Sequence, residues 1–285
     1  MLRNRWWQLA GSLTLGTTTV FGVLSGPGHP ALQDARLTAQ TVSLPAPAST
    51  ASAYEWGRGG DTMLPGPAAQ GAAPGLVNAT SATSENWSGY AATGGQFNSV
   101  SAAWTQPAVT CTAQDTYSSF WVGLDGDGTQ SVEQTGSEAD CAGGSAAYSG
   151  WYEMYPAAPV SYSNPVQPGD AMSASVTTSG NGTFTLTLTD QTQGWNQVTT
   201  QTLASAQLGS AEVIAEAPSS TTGVLPLSNF GTVNFTGATA NGAPIGNSAN
   251  LSELTMVSAG GATEATPSAL TGGNAFSVAW SSSGS

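Results

Sequence analysis

The sequence predicts an all-β fold, a sandwich of two packed antiparallel sheets. Three observations predict it. About a dozen short runs either alternate apolar and polar residues or are continuously apolar. Gly, Pro, Asn or Asp separates most of them, which is turn chemistry. No stretch carries an apolar face at helical spacing over about ten residues. About a dozen strands in roughly 200 residues need two sheets to cover each other's apolar faces.

In order, the runs are "NWSGYAA" (86–92), "SVSAAWTQ" (99–106), "SSFWVGL" (118–124), "QSVEQT" (130–135) and "YSGWYEMY" (148–155). They continue with "AMSASVTT" (171–178), "TFTLTLTD" (183–190), "QVTTQTL" (197–203), "SAEVIAE" (210–216), "TVNFTGA" (232–238), "LTMVSA" (254–259) and "AFSVAW" (275–280). In "TFTLTLTD", Phe184, Leu186 and Leu188 point one way and the threonines the other.

The 285-residue chain begins differently. Arg3 and Arg5 precede the apolar "WWQLAGSLTLGTTTVFGVL" (6–24), the pattern of a secretory signal over residues 1–30. Residues 31–76 are rich in Pro, Gly, Ala and Ser, and bury too little apolar surface to offset their ordering entropy. They are expected to be a disordered pro-segment or linker. The folded domain is then 77–285, and the mature protein is expected to be a secreted monomer with no membrane attachment. In an exported chain the two cysteines, Cys111 and Cys141, are expected to pair. The closed loop of about 30 residues is worth roughly 3–4 kcal/mol in the chain-entropy model.

Charge narrows the chemistry. The net charge is −13, yet only 7% of residues are charged. Arg3, Arg5, Arg36 and Arg58 are the only cations besides the single His29, so residues 77–285 hold no Lys, Arg or His. A Ser–His–Asp triad and a Ser–Lys dyad therefore lack their base, and a Cys nucleophile lacks its partner. Zinc sites built on His or thiolate are excluded for the same reason. "DGDG" (125–128) would start a calcium loop, but Gln130 and Gly136 stand where that loop needs Gly and Glu. No metal and no cofactor are expected. A surface with negative charge alone repels phosphates, so nucleic acid is not an expected partner. Carboxyls and amides remain, in a chain suited to acid: near pH 3–4 the self-repulsion fades and there are no ion pairs to lose.

Four segments bring a family into view. They are "NWSGY" (86–90), "WVGLDG" (121–126) leading to "VEQTG" (132–136), "WYEMYP" (151–156) and "AEVIAE" (211–216). Their order and content resemble the glutamic peptidases, the eqolisin family, from about residue 84 to at least 218. The resemblance implies a lectin-like (concanavalin A-like) sandwich, polypeptide substrates, and a catalytic Gln134 and Glu216. It also implies that Trp121, Asp125, Glu153 and Tyr155 line the substrate cleft. Fungal members carry an Asp two residues before the Trp of "WYE", where this chain has Ser149, and their cysteines sit elsewhere; the pattern is closer to a bacterial, secreted type.

The residues fit such roles. Glu212, Ile214 and Glu216 share one strand face, as do Gln130, Val132 and Gln134. An ionised Glu216 takes the proton of a water as it attacks a peptide carbonyl, and the Gln134 amide holds that water and then the oxyanion. Glu212 is expected to face solvent. Two rival readings start from the same fold. One is a sandwich glycoside hydrolase using Glu153 and Glu216; the other is a non-catalytic carbohydrate-binding module.

Overall fold

The structure, a computed structural model, describes residues 63–64, 79–220 and 223–284. The signal (1–30) and pro-segment (31–76) expectations fall outside the described residues, apart from the backbone of Met63–Leu64. That dipeptide pairs antiparallel with Ala79–Ser84.

The principal strands are β1 (Ala79–Ser84), β2 (Trp87–Thr93), β3 (Ser99–Thr105), β4 (Ser119–Leu124), β5 (Val132–Ala142), β6 (Ser145–Tyr155) and β7 (Ala171–Thr178). Then come β8 (Thr183–Asp190), β9 (Trp195–Thr202), β10 (Ser210–Glu216), β11 (Thr232–Ala240), β12 (Asn250–Val257), β13 (Thr263–Pro267) and β14 (Phe276–Trp280). One layer runs β1–β12–β2–β10–β4–β5–β6, antiparallel except for the parallel β1–β12 pair. The other runs β9–β8–β7–β3–β11–β14–β13, antiparallel throughout. The bulged β12–β13 pairing joins the two. The sandwich expected from the alternating runs is thus the fold.

Alternation places the core between the layers. Phe184, Leu186 and Leu188 of β8 meet Val100 and Trp104 of β3, Val122 and Leu124 of β4, and Val213 of β10, all buried. Each such side chain contributes about 1.5–3 kcal/mol by leaving water. The layer carrying β4, β5 and β10 has a second, separate cluster on its other face: Trp87, Ala91, Trp121, Val132, Trp151, Ile214 and Leu254.

Strand limits differ from expectation where the sequence is polar. The run at 130–135 begins at Val132, leaving Gln130 in a bend, and continues to Ala142. Its partner β6 starts at Ser145, so the ladder extends to Ala142↔Ser145 across Gly143 and Gly144, both at positive φ. β1 and β13 carry too few apolar residues to announce themselves; β1 reads "ATSATS" and is held by backbone pairing. Cys111 and Cys141 are bonded, with Cα atoms 5.4 Å apart. The bond ties the segment ahead of β4 to the end of β5, where Thr116 and Cys141 also exchange backbone hydrogen bonds of 3.0 and 2.8 Å.

Candidate active site

The second face of the β4–β5–β10 layer is built in rows, because directly opposed residues of antiparallel strands point the same way. One row runs Glu153 (β6), Gln134 (β5), Gly123 (β4), Glu212 (β10) and Ala91 (β2). The next runs Trp151, Gly136, Trp121, Ile214 and Gly89. The third runs Ser149, Glu138, Ser119, Glu216 and Trp87. Gln134 and Glu216 therefore share one face, on the strands flanking β4, and stand four residues out of register. Gln134 is level with Glu212.

Glycine makes this face possible at two motif positions. A Cβ on Gly136 would lie 2.6 Å from the Cβ of Trp121. A Cβ on Gly123 would lie 2.8 Å from the Trp121 ring and 3.2 Å from the Cβ of Gln134. Bare backbone there lets Trp121 lie across β5 and keeps space beside Gln134. Trp87 meets Trp121 edge to face, with centroids 5.1 Å apart, the geometry that ring quadrupoles favour. Tyr155 packs, half-buried, against the same cluster.

The amide and the carboxyl are held from different sides. Gln134 Nε2 donates to Glu153 Oε2 at 2.7 Å, which fixes the orientation of the amide. Gln134 Oε1 is buried with no hydrogen-bond partner. Glu216 is 2% exposed. Trp121 Nε1 donates to its Oε2 at 2.7 Å and Asn86 Nδ2 to its Oε1 at 3.2 Å. Burial pushes Glu216 up to about 8, while the N–H groups of Trp121, Trp87 and Asn86 pull it back. Of these, Trp87 Nε1 faces the carboxyl outside hydrogen-bond geometry.

Asp125 does something other than face the cleft. It is fully buried at positive φ. Its Oδ2 accepts from the backbone N–H groups of Gln207 and Leu208, each at 2.9 Å, and its Oδ1 from Gly209 at 2.7 Å. These bonds anchor the loop that feeds β10 and so set the register of Glu216. Asp125→Ala leaves three backbone donors without their acceptor, a loss of about 2–4 kcal/mol. The melting temperature at pH 4 is expected to fall roughly 5–15 °C; an unchanged melt overturns this anchoring role.

Glu212, expected in solvent, is fully buried, since β10 runs between β2 and β4 in mid-layer. Burial, with the charges of Asp127 and Asp125, pushes it well above the carboxylate range. Burial and the Asp125 charge likewise push Glu133, on the core side of β5, up to about 8. Asn86 and Trp87 belong to the "NWSGY" segment; β2–β10 pairing sets Trp87 opposite Glu216, and the Asn86 amide reaches its carboxyl. Glu138, level with Glu216 on the same face, accepts a hydrogen bond from Ser149 Oγ. Its spacing of four from Gln134 was the available signal.

Fold and site together define a class: a two-layer β-sandwich that sets a buried carboxyl and an oriented amide among tryptophans on one face of a sheet. Comparison narrows it. The Peptidase A4 family model matches residues 85–280. The chain is 35% identical to Scytalidopepsin B of Scytalidium lignicola over 121 residues, 41% of this chain and 45% of that protein. It is 27% identical to Aspergillopepsin-2 of Aspergillus niger over 191 residues, 57% of this chain and 67% of that protein. The first of these alignments thus spans under half of the relative. Scytalido-glutamic peptidase with a transition state analog inhibitor superposes with a TM-score of 0.60 at 23% identity, covering 69% of this chain and 98% of that one. Aspergilloglutamic peptidase from Aspergillus niger gives 0.51 at 24%, covering 58% and 99%. The chain belongs to the Peptidase A4 family, the glutamic peptidases.

Proposed function

We propose that the chain is an endopeptidase that cleaves polypeptides in acid through Gln134 and Glu216, with water adding directly and no covalent intermediate. One observation carries the reading: an amide oxygen without a partner and a buried carboxyl lie on one face, flanking β4, in a domain without Lys, Arg or His.

From the sequence alone Glu216 is expected to act in its ionised form. Burial holds the group neutral below about 8, so the form that meets substrate in acid is the carboxylic acid. A neutral carboxyl serves both ends of the addition. Its O–H protonates the scissile carbonyl oxygen while its other oxygen takes a proton from the attacking water, so Glu216 ends protonated. Gln134 Oε1 accepts the water's second O–H and aims the lone pair at carbon. The second N–H of Gln134 Nε2, not used by Glu153, steadies the geminal diol. Collapse reverses the traffic: Glu216 protonates the nitrogen, the C–N bond breaks, and a diol hydroxyl returns its proton to Glu216. Because the two residues are out of register, the bond under attack lies on the diagonal above Trp121. Glu153 is a positioning residue here, acting through the Gln134 amide. Asp125 acts through the β10 loop, and Trp121 and Tyr155 wall the cleft.

The same reading makes the chain an exported monomer, with 1–30 removed as a signal and 31–76 as a pro-segment ahead of a 77–285 peptidase domain. Among the described residues, no helix is long and apolar enough to cross a membrane. Family membership sets aside the sugar-hydrolase and binding-module readings.

The test is digestion of denatured protein at pH 3–4 beside a panel of polysaccharides, with and without EDTA. The N-terminus of the working enzyme is read by mass spectrometry. Peptide cleavage unaffected by EDTA, from a form starting near residue 77, is expected. Polysaccharide cleavage alone, or EDTA inhibition reversed by added metal, overturns the proposal.

A further inference from the structure

The Glu216 carboxyl is itself oriented from the link between β1 and β2. Ser84 is the last residue of β1, opposite Met256 of β12. Its buried side chain turns onto the chain that follows. Ser84 Oγ accepts from the backbone N–H of Asn86 at 3.3 Å and from that of Trp87 at 3.1 Å. A hydroxyl has two lone pairs and one proton. With both lone pairs engaged, Ser84 can only donate to the Asn86 side chain, and it meets Oδ1 at 3.2 Å. The amide is planar, so with its oxygen on Ser84 its nitrogen faces Glu216, and Nδ2 donates to Oε1 at 3.2 Å. The Asn86 backbone is held separately: its carbonyl oxygen accepts from the Ala217 N–H at 2.9 Å, one residue past Glu216. What remains is the side-chain amide, which a half-turn would reverse.

The direction of that amide decides where the Glu216 proton points. Burial keeps Glu216 neutral in acid, with one hydroxyl and one carbonyl oxygen. Trp121 Nε1 lies 2.7 Å from Oε2, against 3.2 Å from Asn86 Nδ2 to Oε1. A carbonyl oxygen accepts better than a hydroxyl oxygen, so the shorter bond sets the carbonyl at Oε2 and the proton on Oε1. With a donor facing it, the Oε1 proton finds no acceptor on the Asn86 amide and is left for the substrate. Reversed, the amide would offer Oδ1 to that same O–H and hold the proton away from the scissile carbonyl.

We propose that Ser84 is a positioning residue for catalysis: its hydroxyl fixes the Asn86 amide with the nitrogen toward Glu216 and so keeps the Glu216 O–H free for the substrate. The inference rests on the peptidase reading and adds to it a residue that lies on neither β5 nor β10.

Ser84→Ala, Asn86→Ala and the double variant are compared at pH 4 on one quenched fluorescent peptide, with melting curves to verify folding. Ser84→Ala is expected to lower kcat about tenfold and to leave KM within about twofold. Asn86→Ala removes the acceptor that Ser84 keeps away, so adding Ser84→Ala to it is expected to cost under about twofold more. Ser84→Thr keeps the hydroxyl and is expected to recover kcat to within about twofold of wild type. A Ser84→Ala kcat equal to wild type overturns the inference. So does a loss that is undiminished when Asn86 is already Ala, or a Thr variant as slow as the Ala variant. A second readout needs neither turnover nor a change at Ser84. The Asn86 side-chain amide signals, identified by their loss in Asn86→Ala, are followed by proton–nitrogen correlation NMR. In the Ser84 chain they are expected to move on Glu216→Gln; signals that stay in place overturn the inference even if Ser84→Ala does not fold. In a folded Ser84→Ala chain that response is expected to vanish, and its persistence overturns the role of the hydroxyl. The expected NMR responses with no peptide cleaved by any form keep the Ser84–Asn86–Glu216 arrangement and overturn the peptidase reading.

Discussion

Glu216→Gln is expected to lower kcat/KM for peptide hydrolysis about 10³-fold or more, and Gln134→Ala about 10²–10³-fold. A carboxyl that moves protons at both ends of the reaction is worth roughly 10²–10⁴, and one amide at the developing oxyanion roughly 10²–10³. Glutamine at 216 keeps the volume and an acceptor for Trp121 and Asn86, so the fold should persist. Melting curves at pH 4 verify that it does. The measurement is kcat/KM on one quenched fluorescent peptide at pH 3–4. Either folded variant keeping more than a tenth of the wild-type rate, a loss under about 1.4 kcal/mol, sinks the assignment of that residue. A milder loss in Glu153→Gln, with kcat reduced more than KM is raised, is the signature of a residue that acts by orienting the Gln134 amide.

The second large effect is on stability. Glu216 and Glu133 are pushed up to about 8 by burial, from an ordinary value near 4.5. Burial also pushes Glu138 and Glu264 up to about 7. A folded carboxyl with raised affinity for its proton is stabilising, relative to its ionised form, below about 4.5; that stability is lost as pH rises through the folded value. For Glu216 and Glu133 the span from 4.5 to 8 corresponds to roughly 4–5 kcal/mol each. Together that rivals the whole stability of a typical domain, about 5–15 kcal/mol. The melting temperature at pH 4 is therefore expected to exceed that at pH 8 by at least about 15 °C. Glu133→Gln should raise the melt at pH 8 and leave it nearly unchanged at pH 4. Equal melts at the two pH values overturn this account. Peptide cleavage is expected to fall as pH rises toward 8, because the neutral Glu216 and the stable fold are lost over the same rise.

Strands and chemistry differ in how far they could be read from the residues alone. Phe184, Leu186 and Leu188 announce β8 because period-two alternation is a local property, legible without neighbours. The missing cations at 77–285 exclude whole classes of catalysis by composition. The "QTG" and "AEVIAE" motifs locate Gln134 and Glu216 through resemblance. None of these depends on which strands lie side by side. β1 and β13 do: they are held by backbone pairing with β12, and their side chains carry little of that pairing.

The site was decided by tertiary structure. Register sets Gln134 level with Glu212 and offsets it from Glu216, and no spacing along one strand encodes register between strands. Asp125, four residues past Trp121 in the motif, turned out to hold the 207–209 loop, because a bend at positive φ swings it toward β10. Glu212 and Glu216 follow the same alternation as an exposed face, and only mid-layer placement of β10 buries both. Burial is what converts Glu216 from an ordinary ionised carboxylate into a neutral acid. The sequence by itself determined which residue types were present to do chemistry and how the strands alternate. Strand order and register decided which of them share a face and how far they are from water, and therefore which protons they hold, since desolvation depends on every neighbour at once.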